Sequence, residues 1–140
     1  MSNPFSGLVA VVTGAGSGIG LSVAKALAAE GSRVIGLDLN EGEMTGHATF
    51  IRCDVSQTSE VENAFKIIAQ STSVVDLLFN IAGIGAVGTV EVATDEEWNR
   101  VLNVNVVGTS RVSAAALPFL RKSNCASIVN TSSIAATAGL

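Results

Sequence analysis

Four glycines alternate with other residues between a short apolar run and a stretch with helical spacing. The segment reads Thr13-Gly14-Ala15-Gly16-Ser17-Gly18-Ile19-Gly20. Glycine permits a tight turn and lets the backbone approach a ligand closely, and the free N–H groups at the start of a helix favour a pyrophosphate. We therefore expect a phosphate-binding loop whose contacts come from Gly14, Ser17, Gly18, Ile19 and Gly20. The alternative is a glycine-rich turn that packs the helix on the strand without a ligand.

A carboxylate, Asp38, ends the second apolar run. At a strand end it can accept hydrogen bonds from both hydroxyls of an adenosine ribose, and a bond to a charged acceptor contributes about 1.5–3 kcal/mol. The same charge repels a 2′-phosphate, and neither the glycine loop nor Leu39 offers a Lys or Arg to receive one. Asp38 thus favours NAD over NADP as the cofactor. The alternative is a solvated carboxylate at a strand end.

Asp54 and Val55 end a third apolar run. We expect them to border an adenine ring, with the Asp54 carboxylate accepting a hydrogen bond from the amino group of the base. The alternative is that Asp54 helps to cap the helix that follows.

The residues above must be positioned by strands that meet at one edge of a sheet. Five short apolar runs predict these strands, and they lie at 8–12, 33–38, 48–55, 74–79 and 126–130. Segments long enough for helices separate them. Strands that alternate with helices in this way form a parallel sheet in a doubly wound α/β fold. We find no internal linker or repeat and predict a single domain over 1–140.

Apolar residues at helical spacing predict three helices, over 21–30, from 57 to about 70, and from 95 onward. Gly31 ends the first helix, and Ser56 caps the second. Thr94 and Glu97 form a capping box at the start of the third. That helix bends or ends near Pro118, whose ring does not fit unstrained inside a helix.

Charged residues make up only 14% of the chain and apolar residues 48%, with a formal net charge of −4. Parallel strands that are covered on both faces read as continuous apolar runs, so this composition fits the predicted fold. The negative charge argues against a nucleic-acid partner and against an anionic membrane surface. No run reaches the roughly 18 apolar residues of a membrane span, and the first residues lack the basic region of a signal peptide. We expect a cytoplasmic protein.

The side chains that could bind a metal are few and scattered. Cys53 and Cys125 lie in apolar, strand-like settings without metal-ligand spacing, which predicts reduced cysteines packed in a core. His47, the one histidine, stands in a Gly-rich polar stretch that is typical of a solvated loop. We therefore predict no metal site.

Several motifs follow one another along the chain. They are Thr13-Gly14-x-x-x-Gly18-Ile19-Gly20, Asp54-Val55, Asn80-x-Ala82-Gly83, Asn103-Val104-Asn105-Val106-Val107-Gly108 and Ile128-Val129-Asn130-Thr131-Ser132-Ser133. In this order and at these spacings they resemble the short-chain dehydrogenase/reductase family over the whole chain. Ile81 departs from the pattern, because the family very often has a second asparagine there. The resemblance implies a Rossmann fold and adds Asn80, Ala82 and Gly83 to the expected cofactor contacts.

The resemblance implies catalytic roles for two further residues. Ser133 matches the serine that hydrogen-bonds the substrate carbonyl or hydroxyl, and Asn105 matches the asparagine whose local helix distortion holds a water in a proton relay. The implied activity is hydride transfer between nicotinamide and a small-molecule ketone or secondary alcohol. From the residues alone, Ser133 could instead cap local backbone, and Asn105 could be a satisfied structural amide.

The family's general acid/base is a tyrosine that follows the serine and is itself followed by a lysine. The tyrosine would fall beyond Leu140, and the chain contains no tyrosine. We therefore expect the N-terminal part of a longer enzyme, cut after the fifth strand, with that strand left as an open apolar edge. For the full-length form the resemblance implies a homo-oligomer, a dimer or tetramer. The alternatives are an NAD-binding or regulatory module without catalysis, and a complete enzyme that uses another base.

Overall fold

The computed structural model describes residues 3–137, which form a parallel sheet with helices on both faces. The strands are β1 (Val9–Thr13), β2 (Arg33–Asp38), β3 (Thr49–Arg52), β4 (Leu77–Asn80) and β5 (Ser127–Asn130). The helices are α1 (Gly18–Ala29), α2 (Thr58–Ala69), α3 (Asp95–Leu102) and α4 (Thr109–Leu120). A π-helical segment (Asn103–Gly108) joins α3 to α4, and a 3₁₀ turn lies at Ile134–Ala136. The predicted doubly wound α/β fold, a Rossmann fold, is confirmed.

The strand order is β3-β2-β1-β4-β5, and each neighbouring pair is parallel. The order reverses at β1, because β2 and β3 lie on one side of it and β4 and β5 on the other. The carboxyl ends of β1 and β4 therefore flank the point where the chain connections diverge. Open parallel sheets bind their ligands at this point.

Helices α2 and α4 cover one face of the sheet. Val11 of β1 and Leu78 of β4 are buried against them. Phe65 of α2 and Phe119 of α4 contact each other, with ring centroids 5.7 Å apart. Full burial of each large apolar side chain contributes about 1.5–3 kcal/mol, so this layer fixes both helices on the sheet.

Helix α1 covers the opposite face. Ala10 and Val12, which alternate with Val11 along β1, pack there against the buried side of the helix. Met44, from the loop after β2, is fully buried in the same layer. A Cβ atom added at Gly36 of β2 would lie 2.6 Å from the Met44 sulfur. The glycine in the middle of a strand is thus explained by the side chain that packs on it.

Two strands are shorter than the apolar runs predict. β3 ends at Arg52, because the amide of Asp54 turns away to the Glu60 carboxylate at 2.8 Å. β4 begins at Leu77, because the Thr72 hydroxyl donates to the Val74 carbonyl at 2.8 Å and holds that residue in a local turn. The predicted extensions of both strands are therefore wrong.

Ser56 does not cap α2, so that prediction is wrong. The helix begins at Thr58. The amide of Ser56 donates to the Asp54 carboxylate at 2.9 Å, and the amide of Gln57 donates to the Asp54 carbonyl at 3.0 Å. This tight turn occupies the residues ahead of the helix. The Asp54 carboxylate thus stabilises the turn ahead of α2, and no side chain of the described residues caps the helix itself.

The long third helix forms as predicted, but the π-helical segment divides it into α3 and α4. Pro118 lies in the last turn of α4, which ends at Leu120. Proline has no N–H to continue the helix, so the end near Pro118 agrees with the prediction. Thr94 caps α3, since its hydroxyl oxygen accepts a hydrogen bond from the Glu97 amide at 3.3 Å. The Glu97 carboxylate does not return to Thr94, because it binds Arg100 at 2.8 and 2.9 Å.

The Thr94→Ala variant is expected to lower the free energy of unfolding by about 0.5–2 kcal/mol, because the first turn of α3 loses its cap. Urea denaturation measures this change. The Thr94→Ser variant keeps the accepting oxygen and is expected to stay near the wild type. Equal stability of the alanine and serine variants would contradict the capping role.

Apolar side chains remain exposed along α3, the π-helical segment and β5. Trp98, Leu102 and Val106 are 51%, 47% and 58% exposed. Ile128 and Val129 of the edge strand β5 are 40% and 45% exposed. The open apolar edge predicted for the fifth strand is therefore observed.

Candidate functional site

The glycine loop connects β1 to α1 through left-handed backbone. Gly14 has φ +67° and Gly18 has φ +53°, values that side chains other than glycine rarely adopt. The amide of Gly14 donates to the Leu37 carbonyl at 2.8 Å, which fixes the loop beside the end of β2. At Gly20 an added Cβ would overlap the carbonyl oxygen of Gly14. The glycines therefore set the path by which the chain enters the helix.

Thr13 joins the ends of the two central strands. Its hydroxyl oxygen accepts hydrogen bonds from the amides of Ile81 and Ala82, at 2.9 and 3.0 Å. Thr13 is fully buried, and a Cβ added at Gly14 would lie 3.0 Å from the Ala82 backbone. Thr13 belongs to a sequence motif that does not indicate this role. The signal for it in the sequence is its position at the end of a strand.

Asp38 ends β2 beside the glycine loop. One carboxylate oxygen accepts a hydrogen bond from the Gly16 amide at 3.0 Å, and the other accepts one from the Asn40 amide at 3.2 Å. Each carboxylate oxygen has two lone pairs, so both can accept a further bond. The carboxylate is thus held in place by backbone and still able to receive ribose hydroxyls.

Asp54 and Val55 lie at the turn between β3 and α2. Arg52 donates to the Glu60 carboxylate at 2.7 Å, and the same carboxylate accepts from the Asp54 amide. The hydrogen bond from the Asp54 backbone, followed by the bond from Arg52, lowers the pKa of Glu60. Glu60 therefore stays ionised near neutral pH and braces this turn.

A groove of about 590 Å³ runs along the carboxyl ends of the strands. It brings together ten of the eleven predicted cofactor contacts, namely Gly14, Ser17, Gly18, Ile19, Gly20, Asp38, Asp54, Val55, Ala82 and Gly83. Nine further residues of the groove wall are not among the predicted contacts, namely Leu37, Leu39, Cys53, Ser56, Ile81, Ile84, Arg100, Val104 and Thr131. Most of them adjoin a predicted contact in the chain, which is the signal that could have found them.

The structure does not bring the side chain of Asn80 to the groove. Asn80 is 4% exposed, and its amide nitrogen donates to Ser113 of α4 and to Asn130 of β5, at 3.0 and 2.8 Å. Within the described residues its Oδ1 atom makes no hydrogen bond. Asn80 therefore ties β4 to β5 and α4.

Asn105 lies in the π-helical segment. Its Oδ1 atom accepts from the Ile84 amide at 2.8 Å, and its Nδ2 atom donates to the Ile84 carbonyl at 2.9 Å. The side chain thus fixes the backbone of a groove residue, in keeping with the alternative of a satisfied amide. π-Helical turns are rare and are frequent at functional sites, and this one is the helix distortion that the resemblance implied.

Ser133 follows β5 at the start of the 3₁₀ turn. It is exposed, and its hydroxyl oxygen accepts from the Ala135 amide at 3.2 Å. This is the local capping that the residues alone allowed. The hydroxyl proton of Ser133 remains available to a substrate oxygen, because a hydroxyl can accept one bond and donate another.

The two cysteines differ in exposure. Cys53 is buried as predicted, whereas Cys125 is exposed, so the core position predicted for Cys125 is wrong. Cys125 lies in the turn before the edge strand β5, where its amide donates to the Ser123 hydroxyl at 3.0 Å. His47 is exposed in a turn, as predicted.

Between residues 3 and 137, no group of three or more His, Cys, Asp and Glu side chains could hold a metal ion. Over the same residues, no helix is long and apolar enough to cross a membrane.

A thiol reagent at about pH 8 is expected to modify Cys125 in the native protein and Cys53 only after unfolding, because the thiolate is the reactive form. Burial, and then the nearby charges of Glu60 and Asp54, raises the pKa of Cys53 to about 11. Because the pKa is raised in the native state, the contribution of Cys53 to native stability is fully present when the pH is below the ordinary pKa of a thiol. This contribution is lost as the pH rises toward about 11. Mass spectrometry of the labelled sites tests the prediction. Equal labelling rates for both native cysteines would contradict it.

A second cavity of about 290 Å³ lies between α3 and the loop that precedes it. Its lining is mostly apolar and comprises Ala86, Val87, Gly88, Thr89, Val90, Ala93, Glu97, Trp98 and Val101. None of the predicted site residues lines this cavity.

Comparison with known proteins identifies the family. The family profile described as short chain dehydrogenase matches residues 8–140. The chain belongs to this family, as its motifs suggested.

Individual relatives agree with the assignment. The chain is 38% identical over 138 residues to the short-chain reductase protein NovJ of Streptomyces niveus, which covers 91% of this chain and 53% of the relative. Its fold is similar to that of ligand-free aldohexose dehydrogenase from Thermoplasma acidophilum, with a TM-score of 0.91 and 33% identity over 97% of this chain and 53% of the other. A short chain dehydrogenase/reductase from Burkholderia phymatum in complex with NAD gives a TM-score of 0.88 and 33% identity over 97% and 52%. The chain spans about half the length of the curated relatives it matches.

Proposed function

We propose that this protein, in its full-length form, is an NAD-dependent oxidoreductase that transfers a hydride between nicotinamide and a ketone or secondary alcohol. The observation that carries the proposal is the groove at the carboxyl ends of the strands, which is lined by both the start of α1 and Asp38. The NAD complex of the Burkholderia phymatum relative supports the class of cofactor.

The residues of the groove fit a dinucleotide. A volume of about 590 Å³ lies within the range of about 300–1,000 Å³ that is usual for ligand sites. The pyrophosphate would lie at Gly18, where α1 begins and where helical amides without a partner attract negative charge. The Asp38 carboxylate would accept the ribose hydroxyls, and Asp54 and Val55 would border the adenine.

Asp38 supports NAD over NADP. A 2′-phosphate beside it would meet a carboxylate and no free cation. Among the described lining residues Arg100 is the one Lys or Arg, and its guanidinium binds the Glu97 carboxylate and the Gly85 carbonyl. The groove therefore offers no ready counter-ion for a second phosphate group.

When bound, NAD supplies the hydride donor or acceptor at its nicotinamide ring. The Ser133 hydroxyl would donate a hydrogen bond to the substrate oxygen and so polarise the carbonyl group. Reduction of a ketone also requires a proton on that oxygen, which a general acid provides. The resemblance assigns this role to a tyrosine, a residue type that these 140 residues lack.

Asn105 is the candidate for the proton relay. Its side-chain amide is already bonded to Ile84, so a relay water would be held by other groups of the π-helical segment. We also propose a homo-oligomer for the full-length form. The exposed apolar side chains of α3 and the π-helical segment support it, because large apolar patches mark interaction surfaces.

Isothermal titration of the protein with NAD and then with NADP tests the cofactor assignment. We expect NAD to bind and NADP to bind more weakly. Catalysis is then tested by incubating the protein with NADH and a panel of ketones and measuring the loss of NADH absorbance. Turnover by the full-length form supports the oxidoreductase, and NAD binding without turnover by that form supports the non-catalytic module instead. Absence of NAD binding would contradict both.

A further inference from the structure

Arg111 of α4 joins the start of the π-helical segment to the region from Val55 to Thr58, which lies more than 50 residues before Arg111 in the chain. Its Nε atom donates to the Thr58 hydroxyl at 3.0 Å, and Nη1 donates to the Val55 carbonyl at 3.3 Å. Its Nη2 atom donates to Oδ1 of Asn103 at 2.8 Å, and Nη1 lies 3.4 Å from the carbonyl of the same residue. All these acceptors are neutral, and no carboxylate within residues 3–137 forms an ion pair with Arg111.

Two further contacts hold the same region together. The Asn103 side chain donates to the Ser56 carbonyl at 3.3 Å. A Cβ added at Gly108 would lie 2.9 Å from the Val55 side chain, so the far end of the π-helical segment also packs on this turn. Both ends of the π-helical segment are therefore fixed to the turn between β3 and α2.

This arrangement connects two walls of the cofactor groove. Val55 and Ser56 line the groove from the β3 side, and Ile84 lines it after β4. Ile84 is held by Asn105, which lies between Asn103 and Gly108 in the π-helical segment. A change in the path of that segment would therefore move both walls.

We propose that Arg111 is a positioning residue for the groove. Together with Asn103 it holds the π-helical segment against the β3–α2 turn, so that Asn105 reaches the Ile84 backbone and Val55 keeps its place. The planar guanidinium presents five N–H donors in a fixed fork, which lets one side chain hold three elements. A lysine has three donors on one atom and would reach fewer of these acceptors. The effect on cofactor binding rests on the proposed function, whereas the effect on Ile84 does not.

Hydrogen exchange at the Ile84 amide tests the proposal, because Asn105 accepts the hydrogen bond of that amide. In the Arg111→Met variant we expect Ile84 to exchange about tenfold faster relative to the core amide of Val11, the scale of one lost hydrogen bond. Exchange at Val11, in the core strand β1, measures any loss of global stability separately from local opening at Ile84. Arg121→Met, at the exposed end of the same helix, removes an equal charge and is the matched control.

Several results would support the positioning role of Arg111, and two would overturn it. Faster Ile84 exchange in Arg111→Met, with partial recovery in Arg111→Lys, supports it. The Asn103→Ala variant is expected to show the same change, and the double variant is expected to add little. The role would be overturned if the ratio of the Ile84 to the Val11 exchange rate were unchanged in Arg111→Met, or if it changed equally in Arg121→Met.

Titration with NAD separates this proposal from the proposed function. If the wild type binds NAD, Arg111→Met is expected to bind it several-fold more weakly, while Arg121→Met binds as the wild type does. Unchanged affinity in Arg111→Met would overturn the effect on cofactor binding. If the wild type binds no NAD, the proposed function fails, and the exchange at Ile84 still decides whether Arg111 positions the segment.

Discussion

Replacement of Gly20 by alanine is expected to destabilise the protein and to weaken NAD binding at the same time. Alanine gains about 1 kcal/mol over glycine inside a helix, so propensity alone would favour the change. The added Cβ would overlap the carbonyl oxygen of Gly14 and lie 3.1 Å from the Ala15 amide nitrogen. Overpacking costs about 1–3 kcal/mol, and more where the neighbouring atoms cannot move. Because these atoms belong to the backbone, we expect the clash to exceed the gain.

The steric clash in Gly20→Ala lies in the loop that would hold the pyrophosphate. To relieve the overlap, Gly14 and the start of α1 must separate, which moves the amides of that loop. We therefore expect the free energy of unfolding to fall by about 1–3 kcal/mol and NAD affinity to fall by about tenfold or more. Urea denaturation and NAD titration measure the two effects.

Gly85→Ala is the matched control for Gly20→Ala. Gly85 lies in the loop after β4, and a Cβ added there meets no atom within 4 Å. Its stability and NAD affinity are expected to stay near those of the wild type. If Gly20→Ala matches Gly85→Ala in both stability and NAD affinity, the loop can adjust to the added Cβ without loss, and the predicted clash is contradicted.

The Asp38→Ala variant is expected to lose most of its NAD affinity and most of its preference over NADP. A hydrogen bond from a ribose hydroxyl to a carboxylate contributes about 1.5–3 kcal/mol, so the loss of even one such bond is expected to raise the Kd for NAD about 10- to 100-fold. NADP affinity is expected to fall less, because the variant no longer repels a 2′-phosphate. The Gly16 and Asn40 amides also lose their acceptor, which loosens the glycine loop for both nucleotides.

Glu43→Ala controls for the loss of a negative charge near the same loop. Glu43 follows β2 and forms an exposed ion pair with Lys25 at 3.4 Å, and it does not line the groove. We expect its ratio of NAD to NADP affinity to equal that of the wild type. If Asp38→Ala keeps the wild-type ratio as well, Asp38 does not select the cofactor.

Local signals in the sequence predict most of the fold and most of the groove. The strands can be predicted because they are buried on both faces and therefore read as continuous apolar runs. At 33–38 the predicted strand and the observed strand agree. The glycine loop and Asp38 are visible because strand ends in a parallel sheet converge on one edge. Ten predicted contacts line the groove for this reason.

The structure differs from the predictions where tertiary contacts determine the local conformation. A motif does not show the direction of a side chain, so Asn80 was expected in the groove although it points to Ser113 and Asn130. The turn after β3 depends on Glu60, which lies six residues beyond Asp54 in the first turn of α2. The π-helical segment is held by Arg111 and by contacts with Val55, which no local pattern records. The apolar neighbours of Cys125 predict a core position, but they belong to an edge strand that is exposed.

Backbone amide chemical shifts, mapped as NAD is added, test directly whether the groove is the cofactor site. We expect the largest changes at Gly16, Gly18, Asp38 and Gly83, which lie at the glycine loop and the strand ends. We expect no comparable change at Trp98, which lines the second cavity. Changes confined to that second cavity, or no change at saturating NAD, would contradict the assignment of the groove as the cofactor site.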